Sequence, residues 1–354
     1  MPGVMFHKIP VAAVEPLTEE SVRVKFDIPA ELSRTFVHIP GQHLIVKATI
    51  NGETVRRSYS ICSRAGSGEL HIGVKLLAGG TFSTFANSEL RVGDVIEVTA
   101  PTGDFTIATD PEHANHYIAI AAGSGITPVL SMIESVLADE PNSRFTLVYG
   151  NRDGRSIMFL DDLDRLKNQH PSRFVLFHIL SRESTSVPIF AGRLDEEKLV
   201  ALLTTVVDAA SATSWYLCGP SSVVEAARSV LARGGVQPEN IHDELFYAGG
   251  DSPRRIAVDD EVGATVTVTL DGRTSTLVVD PRGAPILDHV LAVRPEAPFS
   301  CRSGACASCR ARVMQGEVRM DRNWVLEEGE VAAGQILSCQ AHPVSDTVAL
   351  TYDL

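Results

Sequence analysis

The sequence lacks the apolar run of about 20 residues that a membrane-spanning helix requires. Its first residues, M-P-G-V-M-F-H-K, lack the long apolar segment of a secretory signal peptide, so we expect a cytoplasmic protein without a membrane partner. It also lacks an excess of positive charge: the formal net charge of −13 argues against binding to nucleic acid. Neither an internal repeat nor a low-complexity segment is found, and the 354 residues suggest two or three domains.

Cysteine is scarce, with six residues in the chain, and four of the six form one pattern. Cys301, Cys306 and Cys309 follow the spacing C-x4-C-x2-C, and Cys339 lies in a later L-S-C-Q segment. This is the spacing with which four thiolates hold a plant-type [2Fe-2S] cluster. Gly304 and Ala305, before the second cysteine, are small, which lets backbone N–H groups approach the cluster sulfurs.

Two other uses of these cysteines stay open at this point. A structural zinc site usually pairs its ligands as C-x2-C twice, and the x4 step fits that pattern poorly. A disulfide would need an oxidising compartment, of which the sequence gives no sign. We therefore favour the iron–sulfur cluster.

Residues 1–108 are predicted to be all-β. Short segments rich in β-branched residues are separated by turn signals, including the hairpin dipeptide Asn51-Gly52. Several short strands at this spacing indicate a closed antiparallel β-barrel or a sandwich. The predicted strands are 22–28, 43–50, 54–62, 70–76 and 95–99.

The predicted strand 54–62 contains R-S-Y-S, formed by Arg57, Ser58, Tyr59 and Ser60. The aromatic face of a tyrosine can stack on an isoalloxazine ring, and an arginine close by on the strand can reach a pyrophosphate. Taken alone, however, a tyrosine next to a serine on a strand is usually just ordinary strand composition.

A glycine-rich segment downstream strengthens the flavin interpretation. Gly73 and Lys75 precede G-G-T-F-S, in which Gly80, Thr81 and Ser83 supply N–H groups and hydroxyls at a predicted helix start. Such a start suits a phosphate group. The alternative is a plain Gly-Gly turn.

Residues 109–248 alternate between strand and helix patterns, which predicts a doubly wound parallel sheet. Thr127 is the expected N-cap of the first helix and Pro128 its first residue. The predicted strands are 116–122, 145–149, 174–180, 215–218 and 241–246, and the later helices are 157–168, 195–206 and 221–233.

The first β-to-α turn of this region contains Gly123 and Gly125, where such sheets bind a pyrophosphate. The full G-x-G-x-x-G pattern is absent because Pro128 takes its last position, and a structural turn is the alternative.

Two further strand ends are candidates for nucleotide contacts. Ser181 and Arg182 follow the third predicted strand, where an arginine can meet an adenosine 2′-phosphate or can be a solvated loop charge. Cys218, Gly219 and Pro220 end the fourth strand, where Cys218 lies near a nicotinamide ring or is simply a small buried residue.

Residues 249–261 are predicted to be a linker, and residues 262–354 a third domain. Segments 265–270 and 274–279 form a hairpin about Asp271-Gly272, followed by a short helix at 285–293 and a last strand at 348–352. The cysteine pattern lies within this domain.

Five motifs together resemble the ferredoxin–NADP reductase superfamily: R-S-Y-S, G-G-T-F-S, G-S-G-I-T-P, L-C-G-P and E-L-F at 244–246. Residues 262–354 resemble plant-type [2Fe-2S] ferredoxins, with an α+β β-grasp fold. The order of flavin, nucleotide and cluster domains is similar to that of the reductase components of bacterial multicomponent oxygenases. The resemblance covers essentially the whole chain.

This resemblance implies FAD, [2Fe-2S] and NADPH, or NADH, as cofactors and a di-iron or Rieske-type oxygenase as partner. Glu244 and Phe246 of the E-L-F segment are expected near the flavin, although E-L-F is not the chain end here. The other implied roles are FAD contacts for Arg57, Tyr59 and Ser60, pyrophosphate contacts for Gly80, Thr81 and Ser83, nicotinamide contacts for Gly125, Thr127 and Pro128, and 2′-phosphate contacts for Ser181 and Arg182.

The expected path runs from NADPH to FAD, to the cluster and to the oxygenase, because flavin accepts two electrons together and releases them singly. One alternative is a stand-alone reductase of a small acceptor such as a quinone. The other is a redox-responsive binding protein, which steady NADPH-dependent reduction of an artificial acceptor would exclude.

The assignment of Cys339 as the fourth cluster ligand predicts the outcome of its replacement by serine. Cys339→Ser should bleach the visible iron–sulfur absorption and leave the flavin bands, because only the cluster loses a thiolate. Absorption spectra and iron content measure the effect. A normal spectrum with normal iron content would remove Cys339 from the ligand set.

Overall fold

In this computed structural model the described residues are 5–246, 263–295, 297–299, 302, 304 and 307–354. Cys301, Cys306 and the predicted linker 249–261 lie outside them. Within the described ranges, no helix combines the length and apolar character needed to span a bilayer.

The N-terminal region is the predicted antiparallel β-barrel. Its strands pair in the order β4-β3-β6-β1-β2-β5. A bridge between Ile61 and Ile72, with the Cys62 N–H donating to the His71 carbonyl at 2.9 Å, joins the two ends. The elements are β1 (Phe6–Thr18), β2 (Ser21–Phe26), β3 (His43–Ile50), β4 (Glu53–Ser60), β5 (Leu70–Lys75), helix α1 (Thr81–Ser88) and β6 (Val95–Thr99).

Strand β1 was not predicted from the sequence, although it runs for 13 residues. Pro10 and Pro16 argue against a continuous strand because proline cannot donate to a ladder. Pro10 is the last residue of the regular pairing of β1 with β6, and the pairing of β1 with β2 shifts between Val11 and Ala13 and again between Pro16 and Thr18.

The central region is the predicted doubly wound sheet of parallel strands. Strand order is β11-β10-β7-β8-β9, so the first strand lies in the middle. Helices α2 and α3 cover one face and α4 and α5 the other. The elements are β7 (His116–Ala122), α2 (Ile126–Asp139), β8 (Arg144–Asn151), α3 (Leu160–Gln169), β9 (Phe174–Leu180), α4 (Glu196–Thr205), β10 (Ser214–Gly219), α5 (Ser221–Arg233) and β11 (Ile241–Leu245).

The predicted start of helix α2 was wrong by two residues. Its N-cap is Gly125, not Thr127. Thr127 lies in the first turn, where its hydroxyl donates to the Ser124 carbonyl at 2.9 Å instead of accepting from the helix. A preceding 3-10 turn, Gly123–Gly125, lets the chain turn from strand to helix earlier than the capping pattern suggested.

The C-terminal region is a mixed sheet with a helix packed on it, as a β-grasp fold requires. Strand order is β13-β12-β18-β14-β16; β12 and β18 are parallel and the other pairs antiparallel. The elements are β12 (Ala264–Leu270), β13 (Arg273–Val279), α6 (Ile286–Val293), β14 (Arg310–Gln315), β15 (Val318–Met320), α7 (Glu328–Ala332), β16 (Gln335–Leu337), β17 (Ala341–Pro343) and β18 (Thr347–Thr351).

Both predicted two-residue hairpin turns are confirmed. Asn51 and Gly52 have φ of 52° and 85°, and Asp271 and Gly272 have φ of 51° and 67°. Two successive positive φ values define the type I′ turn, which matches the twist of paired strands. These turns fix the register of β3 with β4 and of β12 with β13.

Candidate functional site

A cleft of about 320 Å³ opens where the barrel meets the carboxyl edge of the parallel sheet. Segments distant in sequence line it together. The lining residues that the sequence predicted are Arg57, Ser58, Tyr59, Ser60, Gly73, Lys75, Gly80, Ser83, Gly123, Thr127, Pro220, Glu244 and Phe246. The predicted residues that do not line it are Thr81, Gly125, Pro128, Ser181, Arg182, Cys218 and Gly219.

Strand β4 forms the barrel wall of the cleft. The half-buried ring of Tyr59 lies 5.4 Å from the Phe82 ring, measured between centroids. Burial raises the pKa of the Tyr59 hydroxyl well above its ordinary value, so that hydroxyl stays neutral at physiological pH. The Arg57 guanidinium donates to the Arg56 carbonyl at 2.7 Å. This wall offers an aromatic face and a cation, as a flavin nucleotide requires.

The floor of the cleft is the start of helix α1, whose N-cap is Gly80. The Ser83 hydroxyl accepts from the Leu77 N–H at 3.1 Å and donates to the Gly80 carbonyl at 3.1 Å, so it holds the turn in place. A side chain at Gly80 would overlap the Ser83 hydroxyl. The first N–H groups of the helix have no intrahelical acceptor, which suits an anionic phosphate.

The opposite wall is built by the first β-to-α turn of the parallel sheet. Gly123 has φ of 55°, and its carbonyl accepts from the Tyr149 hydroxyl at 2.9 Å. Gly125 has a packing role, because a Cβ there would overlap the Cys218 carbonyl of β10. Pro128 is buried in the first turn of α2. Gly123 therefore faces the cleft, whereas Gly125 lets helix and sheet approach.

A half-buried acid, Glu244, lies at the edge of the cleft. Glu244 accepts a hydrogen bond from the Ser60 hydroxyl at 3.3 Å, and its other oxygen lies 3.8 Å from His43 Nδ1. Burial raises the pKa of Glu244 to about 7 and lowers that of His43 to about 4. At neutral pH the carboxyl group is therefore partly protonated and the imidazole is neutral.

His43 was missed by the sequence analysis. It is the first residue of β3, and neither ring nitrogen has a hydrogen-bond partner among the residues that the structure describes. A Cβ at Gly103 would lie 2.8 Å from His43 Nδ1, so the neighbouring loop leaves room for this ring. No local sequence motif marks His43 as a candidate, because the residue it contacts, Glu244, is distant in sequence and belongs to another domain.

The fourth strand of the sheet supports the cleft from behind. Cys218 is fully buried in the core beneath helix α2, and burial raises the pKa of its thiol well above the ordinary value. The Gly219 carbonyl accepts from the Phe246 N–H at 2.8 Å. Phe246 and Pro220 face the cleft, whereas Cys218 and Gly219 hold the segment behind them.

A second, polar cleft of about 170 Å³ adjoins the first and shares Lys75 with it. Arg152 and Arg155 line it, and Arg152 forms an ion pair with Glu20. Burial lowers the pKa of Lys75, and the Arg152 guanidinium adds to this effect. Both arginines follow the carboxyl end of β8, a position that could have marked them as candidates.

The predicted pair Ser181 and Arg182 lies beside this second cleft. Their backbone N–H groups donate to the carbonyls of Asn151 and Arg152 at 3.0 and 2.7 Å. The Arg182 side chain is exposed. The backbone of Arg182 is thus fixed next to Arg152, whereas Arg152 and Arg155 line the polar cleft.

Two of the four predicted cluster ligands lie in the described part of the C-terminal domain. Cys309 and Cys339 are both buried, at 2% and 4% exposure. The N–H and hydroxyl of Ser338 both donate to the Cys309 carbonyl, at 3.1 and 2.9 Å, which brings the two cysteine segments together. Gly304 has φ of 81°, a conformation that favours glycine in a tight loop.

Three family models match consecutive parts of the chain. An oxidoreductase FAD-binding domain matches residues 8–107, an oxidoreductase NAD-binding domain residues 119–229, and a 2Fe-2S iron-sulfur cluster binding domain residues 268–344. These matches agree with the three regions of the fold. The chain is an oxidoreductase that uses FAD, a nicotinamide nucleotide and a [2Fe-2S] cluster.

Several known proteins are similar to this chain over nearly its whole length. The chain is 39% identical over 348 residues to a subunit of 1,2-phenylacetyl-CoA epoxidase from Escherichia coli (strain K12), covering 98% of each. It is 36% identical over 359 residues to the ferredoxin reductase component of 3-ketosteroid-9-alpha-monooxygenase from Mycobacterium tuberculosis, covering 98% of this chain and 96% of that one. The solved structure of phthalate dioxygenase reductase matches in fold, with a TM-score of 0.55, 24% identity and 98% coverage of both chains.

The raised pKa of Glu244 predicts a pH-dependent cost to stability. The folded protein holds this proton more tightly than the unfolded chain, so stability is lost as pH rises from about 4.5 to about 7. Glu244→Gln removes the titration and should raise the thermal midpoint relative to wild type by on the order of 5 °C at pH 8, but little at pH 5.

Thermal unfolding at both pH values, with Glu225→Gln as the control, measures this effect. Glu225 is an exposed acid on helix α5, and its replacement should leave the pH dependence unchanged. An equal difference between Glu244→Gln and wild type at pH 5 and pH 8 would contradict the assignment.

Proposed function

Since the chain belongs to the family of FAD- and [2Fe-2S]-containing reductase components of multicomponent oxygenases, we propose that it carries electrons from NADPH to phenylacetyl-CoA epoxidase. The observation that carries this proposal is the identity of 39%, over 98% of both chains, to a component of that enzyme. This function would place the protein in phenylacetate catabolism. The need to keep four cluster thiolates reduced supports a cytoplasmic location.

The residues of the barrel wall would bind FAD. Tyr59 would lie against the isoalloxazine ring, with Arg57 on the phosphates and the backbone around Ser58 and Ser60 framing the ring. The start of helix α1, with Gly80, Thr81 and Ser83, would hold the pyrophosphate. When bound, FAD would take up a hydride from NADPH, pass two electrons singly to the cluster and release one proton.

Glu244 is suited to hold a proton beside the flavin. The Ser60 hydroxyl orients its carboxyl group, and burial keeps the pKa of that group near 7. A group with this pKa can accept or release a proton at neutral pH. Phe246 would cover part of the ring, and the buried Cys218 would support the segment behind that end of the cleft.

The nicotinamide nucleotide would enter from the carboxyl edge of the parallel sheet. Gly123, Gly125, Thr127 and Pro128 would bound it on one side, and Gly219 and Pro220 on the other. Gly73 and Lys75 of β5 face the same space, and Lys75 joins it to the polar cleft that contains Arg152. Ser181 and Arg182, beside this cleft, would hold the adenosine 2′-phosphate.

The cluster would be held by Cys301, Cys306, Cys309 and Cys339. The proximity of the Cys309 and Cys339 segments supports this ligand set, since two thiolates distant in sequence must reach one cluster.

A second candidate partner is a Rieske-type oxygenase, with NADH as donor. It is favoured by the identity of 36% to the reductase component of 3-ketosteroid-9-alpha-monooxygenase. Reconstitution of product formation with each purified oxygenase separates the two proposals: turnover with the di-iron epoxidase alone supports the first, and turnover with the Rieske enzyme alone replaces it.

Nucleotide choice tests the role of Arg182. A charge-assisted contact contributes about 1.5–3 kcal/mol, so Arg182→Ala should reduce the preference for NADPH over NADH by on the order of tenfold or more. Steady-state kinetics with both nucleotides measure the preference, and Arg233→Ala, at an exposed arginine of helix α5, is the control. Equal effects on the two nucleotides would show that Arg182 does not bind the 2′-phosphate.

The proposed boundaries, with domains 1–108, 109–248 and 262–354 and a linker at 249–261, predict that the flavin part works alone. A protein truncated near Asp251 should bind FAD and reduce ferricyanide with NADPH, but largely lose reduction of cytochrome c and of the oxygenase. Absorption spectra and these assays measure the outcome. Full-rate reduction of the oxygenase by the truncated protein would take the cluster off the electron path.

A further inference from the structure

The outer face of the β3–β4 hairpin carries two cations directly opposite each other. Lys47 and Arg56 are register partners, and like charges in such positions destabilise a hairpin. Yet their side chains are only 21% and 11% exposed. Glu97 of β6 lies 3.8 Å from Lys47 and offsets part of this charge, but it does not contact Arg56. This face of the barrel therefore needs an acidic partner.

The C-terminal domain supplies that partner at the start of helix α7. Arg56 Nη1 donates to both carboxylate oxygens of Glu330 at 3.0 Å, and Arg56 Nη2 donates to Glu327 at 3.4 Å. Lys47 Nζ lies 3.6 Å from the same Glu327 oxygen. Arg310 of the C-terminal domain also donates to Glu330, at 3.1 Å. The two acids thus share three cations, two of which belong to the barrel.

Apolar groups lie next to these charges. The Phe6 ring lies 4.7 Å from Lys47 Nζ and 5.5 Å from the Arg56 guanidinium carbon. Phe6 and the fully buried Ile45 of β3 pack against the hydrophobic core of the C-terminal domain. A cation over an aromatic face beside an apolar seam is typical of a specific docking surface.

A second contact lies nearer to the cysteine loop. Arg322 of the C-terminal domain pairs with Asp104 of the barrel at 3.2 Å, although both side chains are more than half exposed. Asp104 follows Gly103, which packs against His43 beside Glu244 of the flavin cleft. The Arg322 carbonyl lies 3.1 Å from the position of a Cβ on Gly304 in the cysteine loop. This ion pair therefore joins a barrel loop next to His43 to the segment that packs against Gly304.

We propose that the Lys47–Arg56 face is the docking surface for the chain's own [2Fe-2S] domain, and that its ion pairs with Glu327 and Glu330 set the rate of electron transfer from flavin to cluster. This proposal rests on the proposed function. The rate of electron tunnelling falls steeply as the distance between donor and acceptor grows. A contact that fixes the relative position of the two domains therefore also sets the rate of flavin-to-cluster transfer. Each transferred electron oxidises the flavin by one equivalent and reduces one iron of the cluster.

The sign of the salt dependence tests the proposal in the complete holoprotein. Salt screens charges with a Debye length of about 10 Å at 0.1 M, and it favours the separated domains, in which the charges of this largely covered contact face water. In the wild type, rising salt should slow flavin-to-cluster transfer and enlarge the radius of gyration. In Arg56→Glu, the new carboxylate repels Glu327 and Glu330, so transfer at low salt should be at least about tenfold slower and should recover as salt rises.

Stopped-flow absorbance and small-angle scattering, at ionic strengths of about 0.02 and 0.5 M, measure both quantities. Arg56→Gln removes the charge without reversing it, so its rate of flavin-to-cluster transfer at low salt should lie between those of the wild type and Arg56→Glu. This variant keeps the test possible if Arg56→Glu fails to fold. Arg233→Glu reverses a charge in the surface pair with Glu196, away from this interface, and should behave as the wild type.

Equal rates and equal radii for the Arg56 variants and wild type at both salt concentrations would overturn the docking surface and leave the proposed function intact. Failure of NADPH to reduce the flavin or the cluster in the wild type would instead contradict the proposed function. Scattering would still report the docking in that case.

Discussion

The cleft between barrel and parallel sheet depends on a contact in which the backbone of strand β5 packs directly against side chains of the central region, because Gly73 has no side chain of its own. A Cβ at Gly73 of β5 would lie 2.7 Å from Thr127 Cγ2 and 2.8 Å from the Phe159 ring, closer than packed atoms tolerate. Gly125 plays the same part between helix α2 and strand β10. These two glycines bring the barrel, the helix start and the strand end to one point, and the cleft is the space left beside them.

Strand β4 serves two parts of the molecule. Arg57 and Tyr59 line the cleft, while Arg56 reaches outward to the acids of helix α7. Because neighbouring residues of a strand point to opposite faces, one eight-residue segment contributes to both the cleft and the contact with the C-terminal domain. Any shift in the register of β4 would therefore disturb both sites at once.

The sequence was sufficient for the fold class because local signals agreed with the global architecture. The Asn51-Gly52 and Asp271-Gly272 dipeptides form the type I′ turns that they predict, and the alternation of strands and helices gives the parallel sheet. Strand β1 was missed because its two prolines are accommodated by irregular pairing, which only the neighbouring strand reveals.

The sequence predicted those residues of the cleft that lie in short, contiguous motifs. The R-S-Y-S, G-G-T-F-S and G-S-G segments meet at one cleft, although their roles remain proposals. His43 and Arg56 were missed because their importance comes from partners in other domains: Glu244 in the first case, Glu330 in the second. Gly125 was predicted to contact the nicotinamide, but in the structure it is required for close packing of helix α2 against Cys218 of β10.

The two ionic contacts between barrel and C-terminal domain differ in kind. Arg322 and Asp104 are more than half exposed, and such pairs contribute at most about 1 kcal/mol. Arg56 is largely covered, so the loss of Glu330 would leave a buried cation without its bidentate partner, which costs more than the intact pair contributes. The covered pair therefore selects one docked arrangement without holding it strongly. That balance suits a domain that accepts electrons from one site and delivers them to another protein.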